Sequence, residues 1–135
     1  MIVVETNIVA YLDLPTQCSE QAERLLLKEP HWIAPVLWRS ELRNVLALYL
    51  RKQLLTLEQA SDIQTEAEAL LAGEEYDLPS LKVLQLVAAS NCSSYDCEFV
   101  ALANLFDTKL VTADKKILSQ FPQIAVSLAD AILQP

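Results

Sequence analysis

Ile2-Val3-Val4-Glu5-Thr6-Asn7 is the stretch whose reading decides the fold. Ile2, Val3 and Val4 are β-branched and suit a short strand buried on both faces, and the run breaks abruptly into polar residues. An acid at the carboxyl end of such a strand, here Glu5, stands where open α/β sheets build their sites.

Outward from it, helical and extended patterns alternate. A helix is predicted over residues 7–12, then a turn at Asp13-Leu14-Pro15 and a helix capped by Thr16 that runs to Lys28 and stops at Pro30. Trp32-Ile33-Ala34 reads as a second strand. Pro35 suits the first turn of a long helix reaching about residue 52, with Leu37, Val45 and Leu48 as its apolar stripe. Thr56 and Gln59 have capping-box spacing and open a helix through Leu71, ended by the single glycine, Gly73. Tyr76-Asp77-Leu78 gives a third strand, 80–90 a helix, and Ser93 or Ser94 caps a helix to about 107 that is apolar nearly all round. A strand over 109–112 ending at Ala113-Asp114, a short helix to Gln120 and a last strand over 124–126 complete the chain. Strands alternating with helices predict an α/β fold, a parallel sheet covered on both faces. With no linker or repeat, residues 1–135 are expected to form one domain.

Scarcity excludes whole classes of function. One glycine permits neither a dinucleotide fingerprint nor a phosphate-binding P-loop. One histidine, His31, leaves no His-rich metal cluster, and Cys18, Cys92 and Cys97 cannot make a four-thiolate zinc site. Reduced thiols, no leader-like N-terminus and no apolar run of membrane-span length give the expectation of a soluble, cytoplasmic protein.

Four carboxylates stand out. Glu5 ends the first strand and Asp114 follows the fourth, while Asp96 lies in the first turn of a buried helix, where free backbone N–H groups favour an anion. Glu41 falls four residues from both Leu37 and Val45, inside a predicted apolar stripe, where an ionised group is costly unless compensated. Each acid also has a plain structural reading: a cap for Glu5, a helix-start anion for Asp96, a turn residue for Asp114, and a partner of Arg39 or Arg43 for Glu41. If the four converge, their charges repel, and a hard divalent ion such as Mg²⁺ or Mn²⁺ relieves the repulsion. Such an ion activates a bound water for attack on a phosphodiester.

Four segments, in order, carry a resemblance: Ile2 to Asn7, Trp38-Arg39-Ser40-Glu41-Leu42-Arg43-Asn44-Val45-Leu46, Ser94-Tyr95-Asp96-Cys97-Glu98-Phe99-Val100-Ala101-Leu102-Ala103, and Leu110-Val111-Thr112-Ala113-Asp114-Lys115-Lys116. They resemble the acid-bearing segments of PIN-domain nucleases, nearest to VapC-type toxins of bacterial toxin–antitoxin pairs. The resemblance implies a three-layer α/β/α sandwich whose five-stranded parallel sheet runs in the order 3-2-1-4-5. It also implies an endoribonuclease dependent on Mg²⁺ or Mn²⁺, inhibited by a cognate antitoxin and homodimeric. Carried onto this chain, the catalytic and metal-binding acids are Glu5, Glu41, Asp96 and Asp114, with Glu5 and Asp96 at the principal metal positions and Asn7 and Thr112 in support. The family's first acid is Asp; Glu5 is one methylene longer. That departure raises the alternative of a weakened or silent PIN-like module that binds antitoxin or RNA without cutting.

Other residues read more plainly. Glu98, about 200° around the helix from Asp96, is expected at the surface or behind the site. Cys97 is expected in the core, Trp38 to pack at a helix face with base stacking as the lesser reading, and His31 to lie in a loop or at a sheet edge. A receiver-type signalling domain also clusters carboxylates, but the phosphoacceptor and lysine positions it needs are poorly matched here.

The net charge of −8 argues against a nucleic-acid partner until its distribution is considered. Residues 53–81 hold seven acids and no Lys or Arg, so the rest of the chain is nearly neutral. Arg39 and Arg43 flank Glu41, and Lys115 and Lys116 follow Asp114, which makes these four the candidate RNA-binding residues. The negative helix over 58–71 becomes a candidate surface for solubility or a basic partner.

Overall fold

The computed structural model describes residues 1–134. Its strands are β1 (Ile2–Val4), β2 (Trp32–Pro35), β3 (Glu75–Tyr76), β4 (Leu110–Val111) and β5 (Ala125–Val126), all parallel, in the order β3-β2-β1-β4-β5. The expected topology is therefore the observed one. Val3, Val4, Ile33, Ala34, Leu110 and Val111 are all buried. Successive strand residues point to opposite faces, so helices cover the sheet on both sides.

The helices are α1 (Thr6–Asp13), α2 (Ser19–Lys28), α3 (Trp38–Arg51), α4 (Leu57–Leu70), α5 (Ser80–Ala88), α6 (Ser94–Leu105), α7 (Lys115–Gln120) and α8 (Leu128–Leu133). The nearly all-apolar α6 packs across β1, β2 and β4, with α5 laid against it. Cys97 and Phe99 to Ala103 are buried, as a helix apolar all round requires. No helix among the described residues is long and apolar enough to cross a membrane.

Local chemistry accounts for the boundaries. Thr56 and Gln59 form the full capping box of α4, and Gly73 takes the left-handed φ of +77° that reverses the chain into β3. Ser93 caps α6 by accepting from Asp96 N at 3.1 Å. Three boundaries differ from expectation, the first being β3, which spans Glu75–Tyr76 rather than Tyr76-Asp77-Leu78. Thr16 does not cap α2: its hydroxyl accepts from Cys18 N and the helix starts at Ser19. Pro35 ends β2 rather than opening α3. Ala34 and Val36 donate to β3, so the N–H that proline lacks belongs on the β1 side, where pairing has ended at Val3–Ile33.

The helix α8 is an addition to the predicted elements. Ser127 accepts from Asp130 N at its start, a cap signal present in the sequence. Lys28 of α2 donates to the carbonyls of Ala131, Ile132 and Gln134 at its end, where a cation complements the helix dipole.

The largest correction concerns α3. Its core face is Trp38, Leu42 and Leu46, not Leu37, Val45 and Leu48. Both sets have helical spacing, and the choice between them is tertiary. Trp38 is fully buried and its indole N–H donates to Glu75 at 2.8 Å. That contact sets the rotation of the helix. Leu42→Ala is expected to cost about 2–5 kcal/mol in urea unfolding, as core truncations do, whereas Leu48→Ala, at a half-exposed position, should change stability by under about 0.5 kcal/mol. Equal costs would restore the other face as the core.

Candidate functional site

The strand order reverses between β1 and β4, and the carboxyl ends of these two strands meet there. Such a switch point leaves a crevice that neighbouring loops and helix starts surround. Among the described residues the buried polar side chains are Glu5, Thr6 and Thr112, and all three lie at this edge.

Glu5 occupies the N-cap position of α1, yet its carboxylate makes no capping bond. It accepts instead from the Thr112 hydroxyl at 2.8 Å, and the same Thr112 oxygen accepts from Asp114 N at 3.0 Å. Thr112 thus ties the end of β1 to the turn after β4. Only 9% of Glu5 is exposed. Burial pushes its carboxyl up to about 7, helped by the charges of Asp114 and Glu41 and opposed by the hydrogen bonds from Thr112 and the Ala113 backbone.

Glu41 belongs to the stripe Leu37-Glu41-Val45, which lines a cleft at the rim of the core, Leu37 and Val45 being half-buried against it. It accepts from the Thr6 hydroxyl at 2.7 Å. Burial raises its pKa against that hydrogen bond, and the charges of Asp96 and Glu98 raise it further. Asp96 is raised by burial and then by Asp114, with Ser93 and Lys116 opposing. Asp114 caps α7, its Oδ1 accepting from Lys116 N at 2.8 Å and Ile117 N at 3.0 Å. The plain reading of Asp114 is therefore true of one of its oxygens.

Taken pairwise, Glu5 feels Asp114 and Glu41, Glu41 feels Asp96, and Asp96 feels Asp114. The four sequence-predicted acids are thus linked through the charges they exert on Glu5, Glu41 and Asp96, while Glu5 and Glu41 are the two that line a common cleft. Among the described residues no three His, Cys, Asp or Glu side chains are gathered as a ready ligand cage. Like charges hold apart, and each acid rests on a hydroxyl or backbone N–H. Oxygen donors of this kind are the type that a hard divalent cation takes.

Other predicted residues divide. Asn7 is exposed and lines the cleft of about 440 Å³ with Glu5, Thr6, Glu41 and Asn44. Lys116 lies close enough to Asp96 to lower its pKa while donating to the Asn91 carbonyl at 3.1 Å. Arg43 and Lys115 are exposed. Arg39, expected among the RNA-binding residues, is committed elsewhere. Its guanidinium holds Glu75 through two bonds of 2.6 Å and Glu68 at 3.1 Å, which keeps the Glu75 carboxyl below its ordinary range. Glu98 is half-buried, its own pKa raised by burial and by the charge of Asp77, and its charge in turn helps to raise Glu41; it lines a second cleft with Asp77 and Ser94. Sequence reading left out Thr6 as a site residue, although it sits inside the quoted motif, and also Tyr95, beside Asp96 on the cleft wall.

No family model matches the chain. It is 29% identical over 126 residues to Ribonuclease VapC3 of Pyrobaculum aerophilum, covering 91% of this chain and 96% of that protein. The crystal structure of PAE2754 from Pyrobaculum aerophilum superposes with a TM-score of 0.73 at 16% identity, covering 98% of this chain and 93% of that one. FitAcB from Neisseria gonorrhoeae gives 0.74 at 17% identity, covering 96% of this chain and 99% of that one. The chain has the PIN-domain fold. The resemblance to VapC-type proteins read from the four acid-bearing segments stands.

In the PIN-domain sheet, the acid ending β1 is the most confined of the four, which gives it a signature in stability. A carboxyl raised in the folded state contributes stability that is complete below its unfolded pKa and lost as pH rises through the folded one, here near 7. In EDTA, the thermal midpoint should therefore fall between pH 5 and pH 8. Glu5→Gln should flatten that fall and leave the variant the more stable protein at pH 8; parallel profiles for the two would contradict the buried, proton-retaining Glu5.

Proposed function

We propose that this chain is a divalent-metal-dependent endoribonuclease, the toxin of a toxin–antitoxin pair. The observation that carries the reading is the charge-linked set of Glu5, Glu41, Asp96 and Asp114 at the switch point of the sheet. Similarity over nearly the whole length to a protein named Ribonuclease VapC3 supports it. Such congestion of like charge is costly to build without a cation to relieve it.

Glu5, Glu41, Asp96 and Asp114 would hold Mg²⁺ or Mn²⁺, which when bound supplies a water of lowered pKa and charge stabilisation at the phosphate. The chain's own residues do the rest. Thr112 orients Glu5 and Thr6 orients Glu41 through their hydroxyl donors. Lys116, Lys115 and Arg43 offer positive charge for the RNA backbone, and such contacts position the strand without reading its sequence. Arg39 instead anchors β3 and α4 to α3. A homodimer and a cognate antitoxin belong to the same reading. The antitoxin would meet the acidic stretch of 53–81, where Glu58 and Asp62 are exposed on α4.

Glu5 favours a second reading, a weakened or silent module. Its carboxylate is one methylene longer than the family Asp, is turned onto Thr112 and holds its proton up to about 7. A ligand misplaced by about an ångström costs on the order of 10²-fold in rate. Incubation with total RNA in Mg²⁺ and in Mn²⁺ separates the two readings. Glu5→Asp should cleave faster than the natural chain, by up to about a hundredfold, and Asp96→Asn should cleave neither RNA nor model oligonucleotides. Equal rates for Glu5 and Glu5→Asp would remove the weakened-site reading; no cleavage by Glu5→Asp would remove the nuclease.

For the partner surface, Glu58→Lys with Asp62→Lys should weaken capture of a co-expressed basic antitoxin while leaving RNA cleavage unchanged, because charge at an interface acts mainly on encounter and specificity. Loss of cleavage with the antitoxin still bound would reverse that division.

A further inference from the structure

Tyr95 is 60% exposed although it follows the capped first residue of the most deeply packed helix, α6. Its neighbours on that helix, Cys97 and Phe99 to Ala103, are buried and hold the backbone rigid. The ring thus covers no core. It lines the cleft of about 440 Å³, with Leu37 and Val45 on the α3 wall, Glu5 and Glu41 among the acids, and Asn44 at its edge.

The cleft is divided chemically. Glu5 and Glu41 exclude an anion that arrives without a cation, and the exposed basic residues Lys115 and Lys116 follow Asp114 on the α7 side. The uncharged part of the lining is Leu37, Ser40, Asn44, Val45 and Tyr95, with Glu41 between Leu37 and Val45 on the α3 wall. An uncharged, flat, π-faced group with polar edges matches that part. A nucleobase is such a group, and it is free to enter only when unstacked from a duplex.

We propose that Tyr95 stacks one unpaired nucleobase of a single-stranded RNA against the Leu37–Val45 wall, next to the carboxylates, with the Asn44 amide bonding the base edge. The inference rests on the nuclease reading and extends it to the substrate: an RNA segment with an extruded base beside the scissile phosphate. Tyr95 binds and selects substrate; it moves no proton.

The test uses a single-stranded RNA oligonucleotide cut by the purified chain or its Glu5→Asp variant, the same oligonucleotide with an abasic site on either side of the cut, and its fully 2′-O-methylated form for binding by fluorescence anisotropy. Tyr95→Ala and Tyr95→Leu should raise KM and the dissociation constant by about ten- to a hundredfold and leave kcat within about threefold. Tyr95→Phe and Tyr95→Trp should bind like the natural chain. The abasic site on one side of the cut should cost the natural chain as much as Tyr95→Leu does, and cost Tyr95→Leu nothing more. Because the ring is exposed, these variants should melt together with the natural chain, and Tyr95→Leu keeps the side-chain bulk if Tyr95→Ala does not fold. Unchanged KM and binding in Tyr95→Leu, with cleavage intact, would overturn the inference and spare the nuclease. Loss of a co-expressed basic protein partner with RNA binding unchanged would assign Tyr95 to a protein contact, also overturning it. A natural chain and a Glu5→Asp variant that neither bind nor cut any RNA would overturn both.

Discussion

The Thr112 hydroxyl joins two strand ends that would otherwise repel. It donates to Glu5 and accepts from the Asp114 backbone N–H, so one fully buried oxygen fixes the spacing of two acids at the carboxyl edge of β1 and β4. A buried carboxylate without donors would unfold its surroundings or stay neutral. With Thr112 and the Ala113 backbone as donors, Glu5 instead sits at the balance point, its carboxyl near 7. Everything else at this edge follows from accommodating that charge.

The same constraint explains why neighbouring polar groups are where they are. Thr6 serves Glu41, Ser93 serves Asp96, and the first turn of α7 serves Asp114. Each acid has found a nearby donor on a different element, so the set is assembled from α1, α3, α6 and the β4–α7 turn. The core bears the mechanical load. Trp38 and α6 hold α3 and the sheet in place, and the Arg39–Glu75 pair locks the outer strand to α3. Arg39 and Arg43, which flank Glu41 in the sequence, thereby separate into a structural residue and an exposed one.

Much of the fold was legible because its signals are local. A β-branched run ending in an acid, a capping box at Thr56 and Gln59, a left-handed glycine and an all-apolar α6 each depend on a few consecutive residues. The four acids were legible for the same reason: each follows an element end or interrupts an apolar pattern. What misled was periodicity in α3. Leu37, Val45 and Leu48 repeat as helically as Trp38, Leu42 and Leu46, and hydrophobic spacing alone has no means of ranking two overlapping stripes. The error placed Glu41 on the core face, whereas it lines a cleft and accepts from the Thr6 hydroxyl of α1.

By itself, the sequence determined the alternation of strands and helices and singled out the four candidate carboxylates. These are matters of residue type and short spacing, which no packing can alter. Only the tertiary structure decided which face of α3 is core, that Thr6 and Thr112 are the donors holding Glu41 and Glu5, that Arg39 is taken by Glu75 and Glu68, and that Tyr95 stands exposed beside the acids. Those contacts join residues 35, 107, 36 and 29 positions apart. A partner that distant is chosen by how the sheet and helices dock, and docking is settled by the whole core at once.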